Sequence, residues 1–331
     1  MCLESVRAFT IGDSGYFLGV VALLNSLRLT GNTMPLAVLD LGLTPDQRRL
    51  LEPHCDLESR PRSCYPYLQK PEILQRASAS VAVYLDSDII VTGSLDDALR
   101  EAASGQLVAC ADGLPDRWFA EWADEFALRA PLRREVYLSS GFVAFSPERM
   151  PELVSRWSAL CVALGDRKLG LDARGPDDPL WFGDQDALNA ILMSEIPPGR
   201  VVRRAEMAFD LPGRAETRVV GVEALRCERR GTPVRFLHSI GHPKPWQPRA
   251  RWDWRPNAYT RCLPRTLVGP DLALRVPEAM VPSWLRDGRA AAGSRALMTG
   301  YARAATWSRP GRRRLGLSPL RRRDGFTPGR A

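Results

Sequence analysis

Apolar and polar positions follow two rhythms along this chain, a period of two and a helical period, and they trade places repeatedly. "VRAFTIGD" opens with a strand over residues 6–11 that runs into Gly12 and Asp13. "YFLGVVALLNSLRLTG" takes up helical spacing and closes on a glycine, a common helix stop. "MPLAVLDLG" predicts a second strand. "TPDQRRLLEP" predicts a helix with Thr44 as N-cap and Pro45 at the first helical position. "SVAVYLDSDIIV" reads as the next strand, and "GQLVACADG" and "YLSSGFVAFSP" as further ones. "PERMPELVSRWSALCVALG" is helical. "DQDALNAILMSEI" is a short helix whose acidic opening suits the helix dipole. Such alternation predicts an α/β fold with a mostly parallel central sheet and helices on both faces. Beyond about residue 245 the pattern decays into Trp, Pro and Arg, and no internal repeat is visible.

Composition adds limits. A chain of 331 residues, 45% hydrophobic and 25% charged, fits an ordinary globular protein. No run of roughly 18 apolar residues predicts a spanning helix. "MCLESVRAFT" lacks the basic and apolar regions of a signal peptide. Seven scattered Cys, with no C-x-x-C pair, argue against a disulfide framework or zinc knuckle. They suit a reducing, cytoplasmic setting. The net charge of +8 is uneven: residues 286–331 hold twelve Arg against two Asp, which leaves the rest slightly acidic. A nucleic-acid binder would spread its basic charge over the fold, so no nucleic-acid partner is expected.

The candidate chemistry starts at "VAVYLDSDIIV", where an apolar run meets Asp86 and Asp88. In an open α/β sheet, ligands bind beyond the carboxyl ends of the strands. Residues two apart in an extended segment point the same way, so both carboxylates can face one point. Two close like charges need a cation between them or a shared proton. Oxygen ligands suit Mg²⁺ or Mn²⁺. A haloacid-dehalogenase-like phosphotransferase, with Asp86 as nucleophile, also uses an apolar strand followed by D-x-D. That pattern belongs on the first strand of its domain, whereas here about 80 residues precede it. A solvated turn with two incidental Asp is the plainest alternative.

Three more stretches narrow the reading: "FLHSIGHPKPW" (236–246), "FGDQDALN" (182–189) and "YLSSGFVAF" (137–145). With "YLDSDIIV" they resemble, in order and spacing, the retaining glycosyltransferases of family 8. That is the bacterial lipopolysaccharide galactosyl- and glucosyltransferase group, related to glycogenin and galactinol synthase. The resemblance covers roughly residues 6–250 and implies a GT-A-type nucleotide-sugar-binding fold. It implies Asp86, Asp88 and His238 as ligands of Mn²⁺ or Mg²⁺, and Lys244, beside Gly241, as a contact of the donor diphosphate. Thr10, Asp13 and Tyr16 match the positions that hold uracil and ribose, and Lys70 matches a basic residue that touches the donor. Asp112 matches an acidic residue near the sugars. Asp184 would accept hydrogen bonds from sugar hydroxyls, and Gln185 would sit near the anomeric carbon; Asp186 reads instead as part of an acidic helix start. Ser139-Ser140-Gly141 stands where the family has Asn, a small residue and Gly, which leaves the sugar open.

The expected activity is transfer of a hexose from a UDP-sugar to a saccharide or glycolipid, with a non-catalytic nucleotide-sugar-binding homologue as the alternative. Segments 113–135 and 166–181 read as acceptor loops. Trp118, Phe119, Trp122, Trp181 and Phe182 are either sugar-stacking groups or ordinary packing. Three regions are expected: a catalytic domain over 1–250, an extension over 251–285 packed on it, and a basic tail over 286–331. Clustered Arg, interspersed apolar residues and a helix over 289–307 point that tail at an anionic membrane surface.

Overall fold

The computed structural model describes residues 5–165, 177–209, 217–240, 242–250, 254, 256–286 and 288–314. Strands β1 (Val6–Gly12), β2 (Leu36–Asp40), β3 (Asp56–Ser59) and β4 (Val81–Leu85) come first. They are followed by β5 (Ile89–Val91), β6 (Leu107–Ala111), β7 (Leu138–Phe145) and β8 (Val201–Arg204). All but β5 form a seven-stranded sheet in the order β3-β2-β1-β4-β7-β6-β8. Neighbours are parallel except at β7, which runs antiparallel to both β4 and β6. Residues of β2 and β4 are buried throughout, as their near-continuous apolar runs require when both faces are covered.

Helices α1 (Phe17–Leu29), α2 (Pro45–Leu51), α3 (Lys70–Leu74), α4 (Asp96–Ala103) and α5 (Trp122–Glu125) alternate with these strands. Then come α6 (Pro151–Gly165), α7 (Asp184–Ser194), α8 (Ala258–Val268) and α9 (Arg289–Arg314). One apolar cluster joins α1, α4 and α8 to one sheet face; another joins α3, α6 and α7 to the other. Thr44 caps α2 by a capping box with Gln47, as its sequence predicts.

Two local expectations are corrected. "SVAVYLDSDIIV" is two strands, not one. A turn at Asp86–Asp88, closed by Ile89 N donating to Asp86 O at 3.0 Å, separates β4 from β5. β5 then pairs antiparallel with β13 (Phe236–His238), which itself lies parallel to β9 (Met207–Phe209). The apolar run hides this break because both halves are buried, in different sheets. The second correction is α8, which lies where the sequence pattern dissolves. Asn257 and Thr260 form its capping box, and Pro264 sits inside it. Asn25, fully buried on α1, donates to Thr266 O at 2.9 Å and Leu274 O at 2.8 Å, and accepts from Leu274 N at 3.0 Å. The segment after residue 250 thus shares the core of the sheet domain. The helix expected over 289–307 runs to Arg314; residues 315–331 lie outside the described residues. No helix among the described residues is long and apolar enough to cross a membrane.

Candidate active site

The turn between β4 and β5 is the centre of the site. Asp86 N donates to Gly141 O at 2.8 Å, so β7 holds the turn against the carboxyl end of β4. Register between β13 and β5 sets His238 beside Ile89. One ligand atom each from Asp86, Asp88 and His238 then lie within 4.8 Å of one another. His238 Nε2 is 3.2 Å from Asp88 Oδ1 and 3.6 Å from Asp86 Oδ2. Gly141 makes this approach feasible. A Cβ there would meet His238 Cε1 at 2.7 Å and Asp86 Oδ2 at 3.0 Å, so any side chain would push the group apart.

Two buried lysines flank the carboxylates. Lys244 Nζ donates to Asp88 Oδ2 at 2.6 Å and also to Ser239 O. Lys70 Nζ lies 2.9 Å from Asp86 Oδ1 and 3.1 Å from Asp184 Oδ2, and donates to Ser140 Oγ at 3.0 Å. Burial alone would lower the pKa of Lys70, but Asp184 and Asp86 outweigh it and hold the ammonium charged. Burial likewise disfavours the Asp88 carboxylate. Lys244 and His238 overcome that and keep Asp88 far below the usual range. Asp184 goes the other way: burial, with the Asp86 charge, pushes it up to about 6 against the pull of Lys70 and Ser140. Three carboxylates therefore face two ammonium groups and the His238 imidazole in one buried cluster.

Lys244 is fixed by its neighbours. Trp246 Nε1 donates to Gly15 O at 2.8 Å, and Trp284 Nε1 donates to Pro245 O at 3.0 Å. The Trp246 ring packs on Gly19 of α1, where a Cβ would meet its Cη2 at 2.8 Å and Ser87 O at 2.5 Å. Tyr16 meets the Trp246 ring edge-on at 6.1 Å, and Lys244 Nζ lies 5.7 Å from the Tyr16 ring centroid. Asp13 accepts from Gly15 N and Tyr16 N at 2.9 and 3.1 Å and so shapes the entry to α1. Thr10 is fully buried in β1, its Oγ1 lacking a partner among the described residues. Gly241 lies outside the described residues.

The first turn of α7 supplies the far wall. Gln185 Oε1 accepts from Ser140 N at 2.9 Å, and its Nε2 donates to Asp112 Oδ2 at 3.2 Å. Ser140 Oγ donates to Asp184 Oδ2 at 2.7 Å, and Ser139 Oγ accepts from Gly141 N at 3.2 Å. Asn189 locks α7 to β7 through both its amide groups, bonded to Leu138 N and O at 2.7 and 2.8 Å. Asp186 faces elsewhere. Arg117 grips it with Nε and Nη2 at 2.7 and 2.8 Å, Tyr137 Oη donates at 2.7 Å, and Phe182 N donates at 2.7 Å. Both Asp186 oxygens are therefore engaged, which suits the reading of Asp186 as structural.

Among the aromatic candidates, Trp122 is fully buried, stacked on Tyr137 and bonded to Pro179 O. Of the two readings offered for it, ordinary packing applies. Phe119 and Phe182 hold the Arg117 guanidinium at 4.8 and 4.9 Å. Most of the loop 166–181 lies outside the described residues. Tyr84 escaped the sequence reading because it looks like one more apolar strand residue. Its Oη donates to Asp86 Oδ1 at 3.0 Å, and its position two residues before Asp86 was the available signal.

No family model matches the chain, and no curated protein matches it. Solved structures do. The structure of the galactosyltransferase LgtC in complex with donor and acceptor sugar analogs aligns at a TM-score of 0.52 and 17% identity, over 82% of this chain and 98% of that one. An active-site mutant of LgtC aligns at 0.53 and 17% identity, over the same 82% and 98%. At this identity the likeness establishes the fold: a mixed α/β, GT-A-type sheet with helices on both faces, as the sequence predicts.

Proposed function

We propose that this protein is a metal-dependent retaining glycosyltransferase that moves a hexose from UDP-glucose or UDP-galactose to a saccharide or glycolipid acceptor. The observation that carries the reading is the convergence of Asp86, Asp88 and His238 beside two buried lysines, at the strand ends of a fold shared with LgtC. Two carboxylates and an imidazole fit Mn²⁺ or Mg²⁺, and Gly141 leaves room for their approach. A divalent ion held there would take Asp86, Asp88 and His238 as ligands and neutralise the donor diphosphate as it departs.

The chain's own groups do the rest. With such an ion bound, Lys244 would be free to turn its ammonium from Asp88 toward the diphosphate, where a cation favours both donor binding and departure of the leaving group. Lys70 holds Asp86 and Asp184 in fixed positions and offers a second cation to the donor. Asp184 and Ser140 present oxygens to the sugar hydroxyls. Gln185, anchored by Ser140 N and Asp112, lies against the sugar face opposite the leaving group. An amide is too weak a nucleophile to form a glycosyl intermediate. The acceptor hydroxyl therefore attacks the anomeric carbon on the face that the diphosphate leaves. The carbon–phosphate-oxygen bond breaks, the new glycosidic bond forms, and the acceptor proton passes to the departing phosphate oxygen. The anomeric configuration is retained. Tyr16, whose ring centroid lies 5.7 Å from Lys244 Nζ, and Asp13 would take the nucleobase and ribose.

Tail residues 286–331, with twelve Arg, bring the enzyme to the inner face of the membrane, and sedimentation with anionic vesicles that salt reverses checks this. For the transfer itself, UDP-glucose, UDP-galactose and GDP-mannose are offered with Mn²⁺ and with chelator. Release of UDP from one UDP-hexose, abolished by chelator, is the expected result. Proton NMR of the first-formed linkage then shows an α-linked product from an α-linked donor. Turnover that ignores all three donors, with phosphate trapped on Asp86, would instead favour the phosphotransferase.

A further inference from the structure

A second cavity lies away from the acidic cluster and shares no residue with it. It has a volume of about 590 Å³ and sits between α8, α9 and the turn after β10 (Thr217–Gly221). That volume falls within the roughly 300–1,000 Å³ of small-molecule sites. Arg261 and Arg265 reach it from α8 and Arg295 from α9, with Glu223 opposite. Its remaining wall is largely apolar, from Trp254, Val222, Pro264 and Ala296.

The charges do not balance. Glu223 pairs with Arg265 at 3.0 Å. Arg265 also donates to Pro270 O at 2.8 Å, and Arg295 donates to Trp284 O at 2.7 Å, so both forks are held in place by backbone oxygens. Arg261 is exposed, and no carboxylate pairs with it among the described residues. Three guanidinium groups against one carboxylate leave a surplus of two positive charges on one cavity. Such like charges repel one another. A phosphate monoester carries about −1.5 to −2 at pH 7, which matches the surplus, and its oxygens suit the guanidinium fork. The apolar wall suits a non-polar body attached to that phosphate.

We propose that the cavity between α8 and α9 binds a phosphate monoester carried on an apolar body. Binding draws the α9 arginine to the α8 pair, so the ligand also fastens α9 to the domain. The source of the phosphate is a soluble ester or a lipid headgroup, and two probes separate them. Hexyl phosphate is titrated into the full-length protein by calorimetry, with inorganic phosphate and neutral hexyl glucoside alongside. Hydrogen exchange is followed over residues 258–268 and 289–301. Phosphatidylcholine vesicles with and without phosphatidic acid form the lipid arm.

Hexyl phosphate is expected to bind, to outcompete inorganic phosphate, and to slow exchange in both helices. Arg261→Gln, a surface change that leaves the fold alone, should weaken it about tenfold, the cost of one charge-assisted pair. Arg218→Gln, on the exposed edge of β10 and outside the cavity, should leave it unchanged. Vesicle protection of the same two helices that needs phosphatidic acid, and that Arg261→Gln removes, assigns the lipid source. Its absence with hexyl phosphate still bound assigns the soluble one. Binding of hexyl phosphate that Arg261→Gln and Arg295→Gln both leave intact, or no binding at all, overturns the proposal.

Discussion

Asp184 and Asp186 stand two residues apart on the first turn of α7, and they belong to opposite kinds of site. Asp186 is closed: Arg117, Tyr137 and Phe182 N saturate both its oxygens, and the Arg117 face is covered by Phe119 and Phe182. Asp184 is open: it shares Lys70 with Asp86 in a cluster where carboxylates outnumber ammonium groups. A buried ion pair with every partner in place is a fastener. A buried cluster whose ligand atoms converge on one point is a receptor. The difference lies in the partners, because both aspartates are buried and both have raised pKa values by that burial.

The comparison breaks most sharply at Asp88. Asp88→Asn removes a ligand from a charged site and should lower transfer by about a thousandfold, several kcal/mol in the barrier. It also strands Lys244, buried and without its carboxylate. Adding Lys244→Met should therefore restore thermal stability without restoring transfer, as a donor assay beside calorimetry would show. Recovery of transfer in the double variant would contradict the assignment.

Arg117→Met should act on the fold instead. Breaking one side of a buried pair costs about 3–5 kcal/mol, and a further Asp186→Leu should return most of it, since apolar replacement of a whole pair is commonly neutral. Denaturant titrations of the single and double variants measure this. A single variant as stable as the wild type would show that the Arg117–Asp186 pair is not the fastener described.

Gly141→Ala should be milder. The added Cβ must displace His238 or Asp86, and such overpacking costs about 1–3 kcal/mol. Its signature is a loss of Mn²⁺-induced thermal stabilisation out of proportion to the loss of stability without metal. Unchanged Mn²⁺ stabilisation would mean that the glycine does not serve the site.

The smallest effect is electrostatic. Asp184 is pushed up to about 6 in the folded protein, above its ordinary value. A raised acid favours folding while protonated, and that advantage is lost as pH rises through the folded value. In chelator, Asp184→Asn should thus gain stability relative to the wild type between about pH 4 and 6, and the gap should stay constant above that window. A gap that shrinks as pH rises would reverse the sign and the cause.

Much of this was legible in the chain. Periodicity places β1, β2, β4, β6 and β7 with α1, α2, α6 and α7, while β3, α3, α4 and β8 pass unread, and Asp86, Asp88, His238 and Lys244 stand in short motifs that the family resemblance picks out. What stayed hidden shares one property: it depends on partners far off in sequence. The strand break at Asp86–Asp88 is invisible because β4 and β5 are equally apolar. The orientation of β7, which runs antiparallel to both of its described neighbours, is not encoded in its own alternation. Lys70 is named by the family resemblance as a donor contact, but its bridging of Asp86, Ser140 and Asp184 depends on residues far off in sequence. Helix α8 carries Pro264 in its interior, a residue that argues against a helix until its packing against α1 outweighs the lost hydrogen bond.

The central claim is that Asp86, Asp88 and His238 hold a divalent ion at the donor diphosphate. A crystal grown with Mn²⁺ and UDP, measured at a wavelength where manganese scatters anomalously, tests it most directly. One anomalous peak is expected, touching a carboxylate oxygen of Asp86 and of Asp88 and an imidazole nitrogen of His238, with Lys244 turned from Asp88 to a phosphate oxygen. UDP bound with no peak at the three residues, and Lys244 still paired with Asp88, would contradict the account.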